Sequence, residues 1–275
     1  MATSPSRHYD RQLDQICRKE DRLFADCERE ERPSTGLLAK IEAKIPAKLV
    51  GTMDLAFYKA FQVLFEKGTG LLRRTIAEKK LKADRFIREY YLKEHPTAQR
   101  VEAFYKSARL GGVVSTLLAT AEGVVLGFLG LGLPDIPILM SLLLRTVYQT
   151  ALRYGFRYDS EQERYFILLV LSAALAKGND RKEYSLRADQ VGRAIDRGER
   201  LTFYLDEQMR ETSKALARSM LVAKFIQGYN FVGVIGGLNN FSASRRVANM
   251  ANLKYQRRFL EKKKREGQPP TRRIP

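Results

Sequence analysis

Residues 136–175 read IPILMSLLLRTVYQTALRYGFRYDSEQERYFILLVLSAAL. Pro137 suits a first helical turn, where its missing N–H costs nothing. The apolar run after it passes Arg145 and reaches Gly155, a residue suited to the left-handed backbone that stops a helix. Asp159 and Ser160 supply side-chain oxygens that can start a second helix, with Glu163 in its first turn to complete the cap and complement the dipole. From Phe166 to Leu175 apolar residues surround the helix axis nearly all round. A membrane span needs about 20 such residues, so this segment reads as a central core helix.

Outward from this pair the helical period persists. Met53, Phe57, Phe61 and Phe65 recur every four residues, and Ala56, Ala60, Val63 and Leu64 widen the stripe. They mark one face of a core helix entered after Pro46 and stopped near Gly68-Thr69-Gly70. Residues 1–35 are polar, with Leu13, Ile16, Cys17, Leu23, Phe24 and Cys27 at roughly helical spacing; they read as a marginal amphipathic helix or a loosely docked arm ended by Pro33. Residues 81–110 are charged and helical in composition, with Phe86, Ile87, Tyr90, Tyr91 and Leu92 as their apolar share. Residues 178–198 read as a polar connector with room for a short helix. Helical period returns over 199–225 through Leu205, Met209, Thr212, Leu216, Met220 and Ala223. No alternating strand pattern and no fixed repeat interrupts this. The fold class is all-α, a single-domain helical bundle with glycine-rich, apolar central helices. A polar N-terminal arm (1–35) precedes a helical domain (36–264), and a basic tail (265–275) follows.

Residues 111–144 carry no Lys or Arg, and Glu122 and Asp135 are their only charges. Ala119, Gly123 and Gly127 lie four apart, and Gly233 and Gly237 repeat the interval near the C-terminus. Small residues at that spacing let helix backbones approach closely, so tight helix packing is expected at both places. A transmembrane hairpin is disfavoured, because Glu122 at the centre of 111–133 costs roughly 2.5–3.5 kcal/mol to insert. A buried or shallowly inserted hairpin, broken at Pro134–Pro137, fits better. Asp135 reads as a helix N-cap or as a buried acid paired with Arg145.

The chain has 275 residues, with 49 Lys and Arg against 31 Asp and Glu, a net charge of +18. Cys17 and Cys27 are too few for a disulfide framework or a four-sulfur zinc site, and His8 and His95 are the only histidines. No metal or other cofactor is expected. GFLGLG at 127–132 lacks the glycine spacing and preceding strand of a dinucleotide loop, and no phosphate-binding loop, zinc-protease or serine-hydrolase motif occurs. No catalytic residue is assigned; a carboxylate-dependent hydrolase on Glu122 and Asp135 is the least favoured reading.

Half of the excess charge lies at the C-terminus. Residues 245–275 hold eleven Lys and Arg against Glu261 and Glu266, a net of +9. Lys254, Arg257, Arg258, Lys262 and Arg265 share one helical stripe, with Lys263 and Lys264 beside it, and Val247, Ala251, Tyr255 and Phe259 form another. This reads as a basic amphipathic helix whose cations bind an anionic membrane. Nucleic acid is a weaker partner, since no nucleic-acid-binding motif accompanies the charge.

Three blocks in order resemble the EcsC family: GLGLPDIPILMSLLLRTVYQTALRYGF, ERYFILLVLSAAL and FVGVIGGLNNFSASRRVANMANLKYQRRFLEKK. The resemblance runs from about residue 45 to 264 and leaves the N-terminal arm outside. Positions matching its pattern are Gly132, Asp135, Pro137, Arg145, Tyr154, Gly155, Glu163, Gly233, Gly236, Gly237 and Asn239. Leu133-Pro134 before Asp135 departs from it. The resemblance implies an all-α fold and no catalytic assignment. Tyr154, Glu163 and Asn239 of this pattern, with Glu122, Asp135 and Arg145 read above from their own chemistry, make up a candidate buried polar set. The family takes its name from a bacterial gene beside an ABC-transporter pair, which implies an accessory role near a membrane protein such as a transporter. MATSPSRHYDRQ at 1–12 contains no apolar run, so no secretory signal is expected and the expected place is cytoplasmic, at the inner membrane face. The expected function is a membrane-peripheral accessory protein; the alternative is a soluble helical scaffold with its apolar helices fully buried.

Overall fold

Pro46, in extended backbone, opens the helix that the Phe57–Phe61–Phe65 stripe requires, and all three rings are buried. The structure, a computed structural model, describes residues 5–31, 44–68, 72, 76–94, 102–104, 136–229 and 236–266. Within these residues the elements are α1 (Pro5–Glu31), α2 (Ala47–Val63, continued by a π-helical turn over Leu64–Gly68), α3 (Glu78–Glu94), α4 (Ile136–Tyr154), α5 (Glu161–Leu175), α6 (Gly178–Arg197), α7 (Leu205–Tyr229) and α8 (Gly236–Glu266). No strand occurs among the described residues, and the fold is all-α.

The α4–α5 corner forms as its residues dictate. Gly155 takes φ +84°, and the amides of Gly155 and Phe156 return to the carbonyls of Leu152 and Ala151. That is a Schellman stop, which needs a residue tolerant of the left-handed region. Ser160 caps α5, its Oγ accepting from the Glu163 amide at 3.3 Å. Every residue from Tyr165 to Leu175 is buried. α5 packs against α6, α7 and α8, and α8 in turn packs against α1, α4 and α6. The flanks are α2 on α4 and α7, α3 on α4, and α1 on α6. A polar staple joins α5 to α7, with Ser172 Oγ and Thr212 Oγ1 2.9 Å apart.

The segment 178–198 is a full helix, α6, rather than a connector with a short helix. Its buried face is Ser185, Ala188, Asp189, Val191, Gly192 and Ala194. Small residues and an acid give little apolar periodicity, yet they let other helices approach. A Cβ on Gly192 would lie 2.9 Å from Arg258 Cδ and 3.0 Å from Phe166 Cε2. The N-terminal helix is also better anchored than a loose arm: Ile16, Glu20 and Cys27 of α1 are buried. Among the described residues, no helix is long and apolar enough to cross a membrane. In α4 the apolar limb after Pro137 turns Leu139, Met140, Leu143 and Leu144 into the protein core.

Candidate functional site

The first part of the basic stripe of α8, Lys254, Arg257 and Arg258, turns toward neighbouring helices rather than toward solvent. Lys254 is fully buried and Arg258 is 2% exposed. Lys254 Nζ donates to Glu20 Oε1 at 2.9 Å and to Asp189 Oδ2 at 2.8 Å. Arg257 Nη1 meets Asp189 Oδ2 at 2.9 Å and Glu20 Oε2 at 2.8 Å. Arg258 forks onto Glu163, with Nη1 to Oε2 at 2.9 Å and Nη2 to Oε1 at 2.7 Å. It also donates to Asp196 from Nε at 3.0 Å and from Nη2 at 2.6 Å. Three cations of one helix thus meet four carboxylates from α1, α5 and α6. The expectation that Lys254, Arg257 and Arg258 contact an external anion is corrected. Desolvating a bare cation is costly, and the carboxylates carried by the neighbouring helices make burial tolerable.

Aromatic rings complete the Arg258 pocket. Its guanidinium carbon lies 4.3 Å from the Phe156 ring centroid and 4.5 Å from that of Phe166. Such ring faces attract a cation most strongly when water is excluded. Burial works against the Arg258 charge, but hydrogen bonds to Asp196 and Glu163 outweigh it and hold the proton more tightly than usual. Burial lifts Glu163 above the ordinary carboxylate value, with the Arg258 fork opposing. Glu20 is raised by burial as well, with Lys254 pulling the other way.

The remaining cations of the stripe divide. Lys263 bridges Glu89 of α3 and Glu266, and Lys264 pairs with Asp10 of α1. Lys262 and Arg265 are exposed. Of the candidate polar set, Tyr154 and Glu163 both grip α8, Tyr154 through its hydroxyl, which donates to Asn252 Oδ1 at 2.7 Å. Arg145 is half-buried on α4, away from this network, and its Nε has no hydrogen-bond acceptor. Ala119, Glu122, Gly123, Gly127, Gly132 and Asp135, together with Gly233, lie outside the described residues. Gly237 and Asn239 fall within the helical span of α8, with their side chains outside the described set. Cys17 and Cys27 are not joined in a disulfide, and no metal-binding cluster occurs among the described residues.

Sequence reasoning missed Glu20, Asp189 and Asp196 as partners, and it missed the outer face of α3. Phe86, Ile87 and Tyr90 there are 68%, 53% and 55% exposed. Lys79, Lys80 and Lys82 lie one to three turns earlier on the same exposed side, with Ala83 between. Leu81 faces inward, against the core. The available signal was the unusual pairing of aromatics with a lysine run in one short helix.

Comparison of the sequence with known proteins points to one family. The model of the EcsC protein family matches residues 10–260. That span begins within α1, so the N-terminal helix is part of the family unit rather than an appendage outside it. Protein EcsC of Bacillus subtilis (strain 168) is 37% identical over 67 residues, which is 24% of this chain and 28% of that protein. The chain therefore spans under a third of the length of this curated relative. No solved structure matches the chain. With its all-α core and a family match covering most of its length, the chain belongs to the EcsC protein family.

Proposed function

We propose that this protein is a membrane-peripheral accessory protein that docks on anionic lipid through the outer face of α3. The observation that carries the reading is the exposed Phe86, Ile87 and Tyr90 beside Lys79, Lys80 and Lys82. An interfacial helix uses this chemistry: aromatic and aliphatic groups enter the headgroup boundary, and lysines meet lipid phosphates. Each lysine near an anionic surface contributes about 1 kcal/mol.

Charge bookkeeping supports the same reading. The internal network consumes three of 49 cations and four of 31 acids, so 46 against 27 remain, an excess of 19. Burying the α8 cations therefore leaves the rest of the protein slightly more basic. Lys262 and Arg265, exposed at the end of α8, add to this field.

Flotation with vesicles tests it. Anionic vesicles should retain the protein at low salt, and neutral vesicles should retain less. The exposed triple charge reversal K79E/K80E/K82E, and separately Phe86→Ser with Ile87→Ser, should each abolish most retention. K262E/R265E should weaken it modestly. Retention by neither vesicle type, or retention untouched by the α3 variants, would overturn the proposal and leave the helical scaffold reading.

A further inference from the structure

A cleft of about 630 Å³ lies between α3 and the α4–α5 corner. Its volume falls within the range of ligand pockets, about 300 to 1,000 Å³. Glu78, Lys82, Arg85 and Phe86 line one wall, and Leu152, Gly155 and the run Phe156–Asp159 line the other. Among the described lining residues, three cations and two acids share one concavity.

Gly155 fixes one of the cations. At φ +84° it carries no side chain toward α3, and a Cβ there would lie 2.5 Å from Arg85 Nη1 and 3.0 Å from its Cζ. The Arg85 guanidinium therefore rests on the Gly155 backbone. Its Nη1 donates to Glu89 Oε2 at 2.7 Å, while its Nε has no acceptor. Glu78 is held from two sides: its Oε2 accepts from the Tyr158 hydroxyl at 3.1 Å, and its Oε1 pairs with Lys82. Arg157 and Asp159 pair at 3.0 Å. Lys82, Arg157 and Asp159 are exposed, and exposed pairs contribute little because water and salt compete with them. Such pairs can exchange partners with a ligand that brings both signs of charge.

We infer that this cleft binds a zwitterionic phosphodiester, a phosphoethanolamine group, whose phosphate accepts from Lys82 and Arg85 and whose ammonium donates to Glu78 and Asp159. No cation has to stand free for this, since the ligand supplies a positive charge along with its negative one. Guanidinium and ammonium donors suit phosphate oxygens, and carboxylates suit a hydrogen-bonding ammonium. A quaternary ammonium would need a cage of open ring faces. Here Phe156 packs against the Arg258 guanidinium and Tyr158 stacks on Tyr148 with centroids 4.5 Å apart, so of the three rings in the wall Phe86 is the exposed one. The primary amine is thereby favoured over choline. The same group occurs in a lipid headgroup and in soluble glycerophosphoethanolamine. The cleft shares Lys82 and Phe86 with the docking face, so the lipid source rests on that reading, whereas binding in free solution does not.

Calorimetric titration of the full chain with glycerophosphoethanolamine, glycerophosphocholine, ethanolamine and dimethyl phosphate tests the inference. Glycerophosphoethanolamine should bind at least about tenfold more tightly than either fragment, and about fivefold more tightly than glycerophosphocholine. Glu78→Gln, Asp159→Asn and Arg85→Gln should each weaken it about tenfold while the melting temperature holds. Phosphatidylethanolamine in phosphatidylglycerol vesicles displacing the probe beyond what phosphatidylglycerol alone displaces would assign the lipid source, and no added displacement would assign the soluble ester. No binding up to about 10 mM, glycerophosphocholine or a fragment binding as tightly, or folded variants binding like the parent would overturn the inference. If a variant fails to fold, the parent's ranking of the four compounds decides. Glu78→Gln and Asp159→Asn each remove a negative charge and leave Lys79, Lys80 and Lys82 in place, so flotation with anionic vesicles should not fall. Failure here and failure of membrane docking are thus separately visible.

Discussion

Arg258 illustrates how one side chain can be indispensable without being on the surface. It is held by Glu163 and Asp196 and enclosed by Phe156, Phe166 and Tyr255. Arg258→Met would leave two carboxylates buried without their cation, and urea unfolding should show a loss of about 3–5 kcal/mol. Adding Glu163→Gln and Asp196→Asn to that variant should return part of the loss, because the uncompensated charge is then gone. Buried phenols give a second expectation. Burial raises Tyr148 and Tyr255 above the usual phenol value, and it lifts Tyr184 to about 12, with Glu211 adding to it. The native state therefore keeps protons that the unfolded state releases near pH 10, so stability falls as pH climbs from 10 toward 12. Arg153, lowered to about 10 first by burial and then by Arg88, and Arg88, itself lowered by burial, contribute the opposite sign but are two groups against several. Phenolate absorbance should show part of the 13 tyrosines ionising late and together with loss of helix.

The helices differ in how openly their sequences announced them. α4 and α5 could be read because their signals are local: Gly155, Ser160 and a run of large apolar residues lie within a few turns. α6 could not, since its inner face is Ala, Ser, Gly and a paired Asp189, and its periodicity emerges only when α8 is beside it. Gly192 carries the contrast. Gly192→Ala gains helix propensity but drives a methyl into Arg258 and Phe166, and overpacking of about 1–3 kcal/mol should win, read as a lower urea midpoint. Gly51 on α2 has nothing within 4 Å of such a methyl. Gly51→Ala should therefore stabilise by about 0.5–1 kcal/mol in the same assay.

Across the molecule, the candidate site was only half readable, for a reason of distance. Tyr154 and Glu163 were singled out, and each bonds a different residue of α8, Asn252 and Arg258. The burial of Lys254 was hidden because its carboxylates stand 234 and 65 residues away along the chain, and a stripe of cations in isolation looks the same whether it faces water or acid. The lysines and aromatics of α3 were visible as composition but not as a surface, because what a helix leaves uncovered depends on neighbours from elsewhere. Deleting residues 250–275 should remove the cations that four acids on three helices require. The truncated chain should show weak, non-cooperative unfolding, checked by the slope of its urea transition.

The tie between Glu20 and Lys254 also sets an order in time. On the ribosome, Glu20 emerges 234 residues before Lys254, and Glu163, Asp189 and Asp196 follow it, still without their counterions. Closure of this network is thereby deferred until α8 has been made. A stalled or clipped product would carry exposed negative pockets and open seams, a form that quality-control proteases can tell apart from the finished protein.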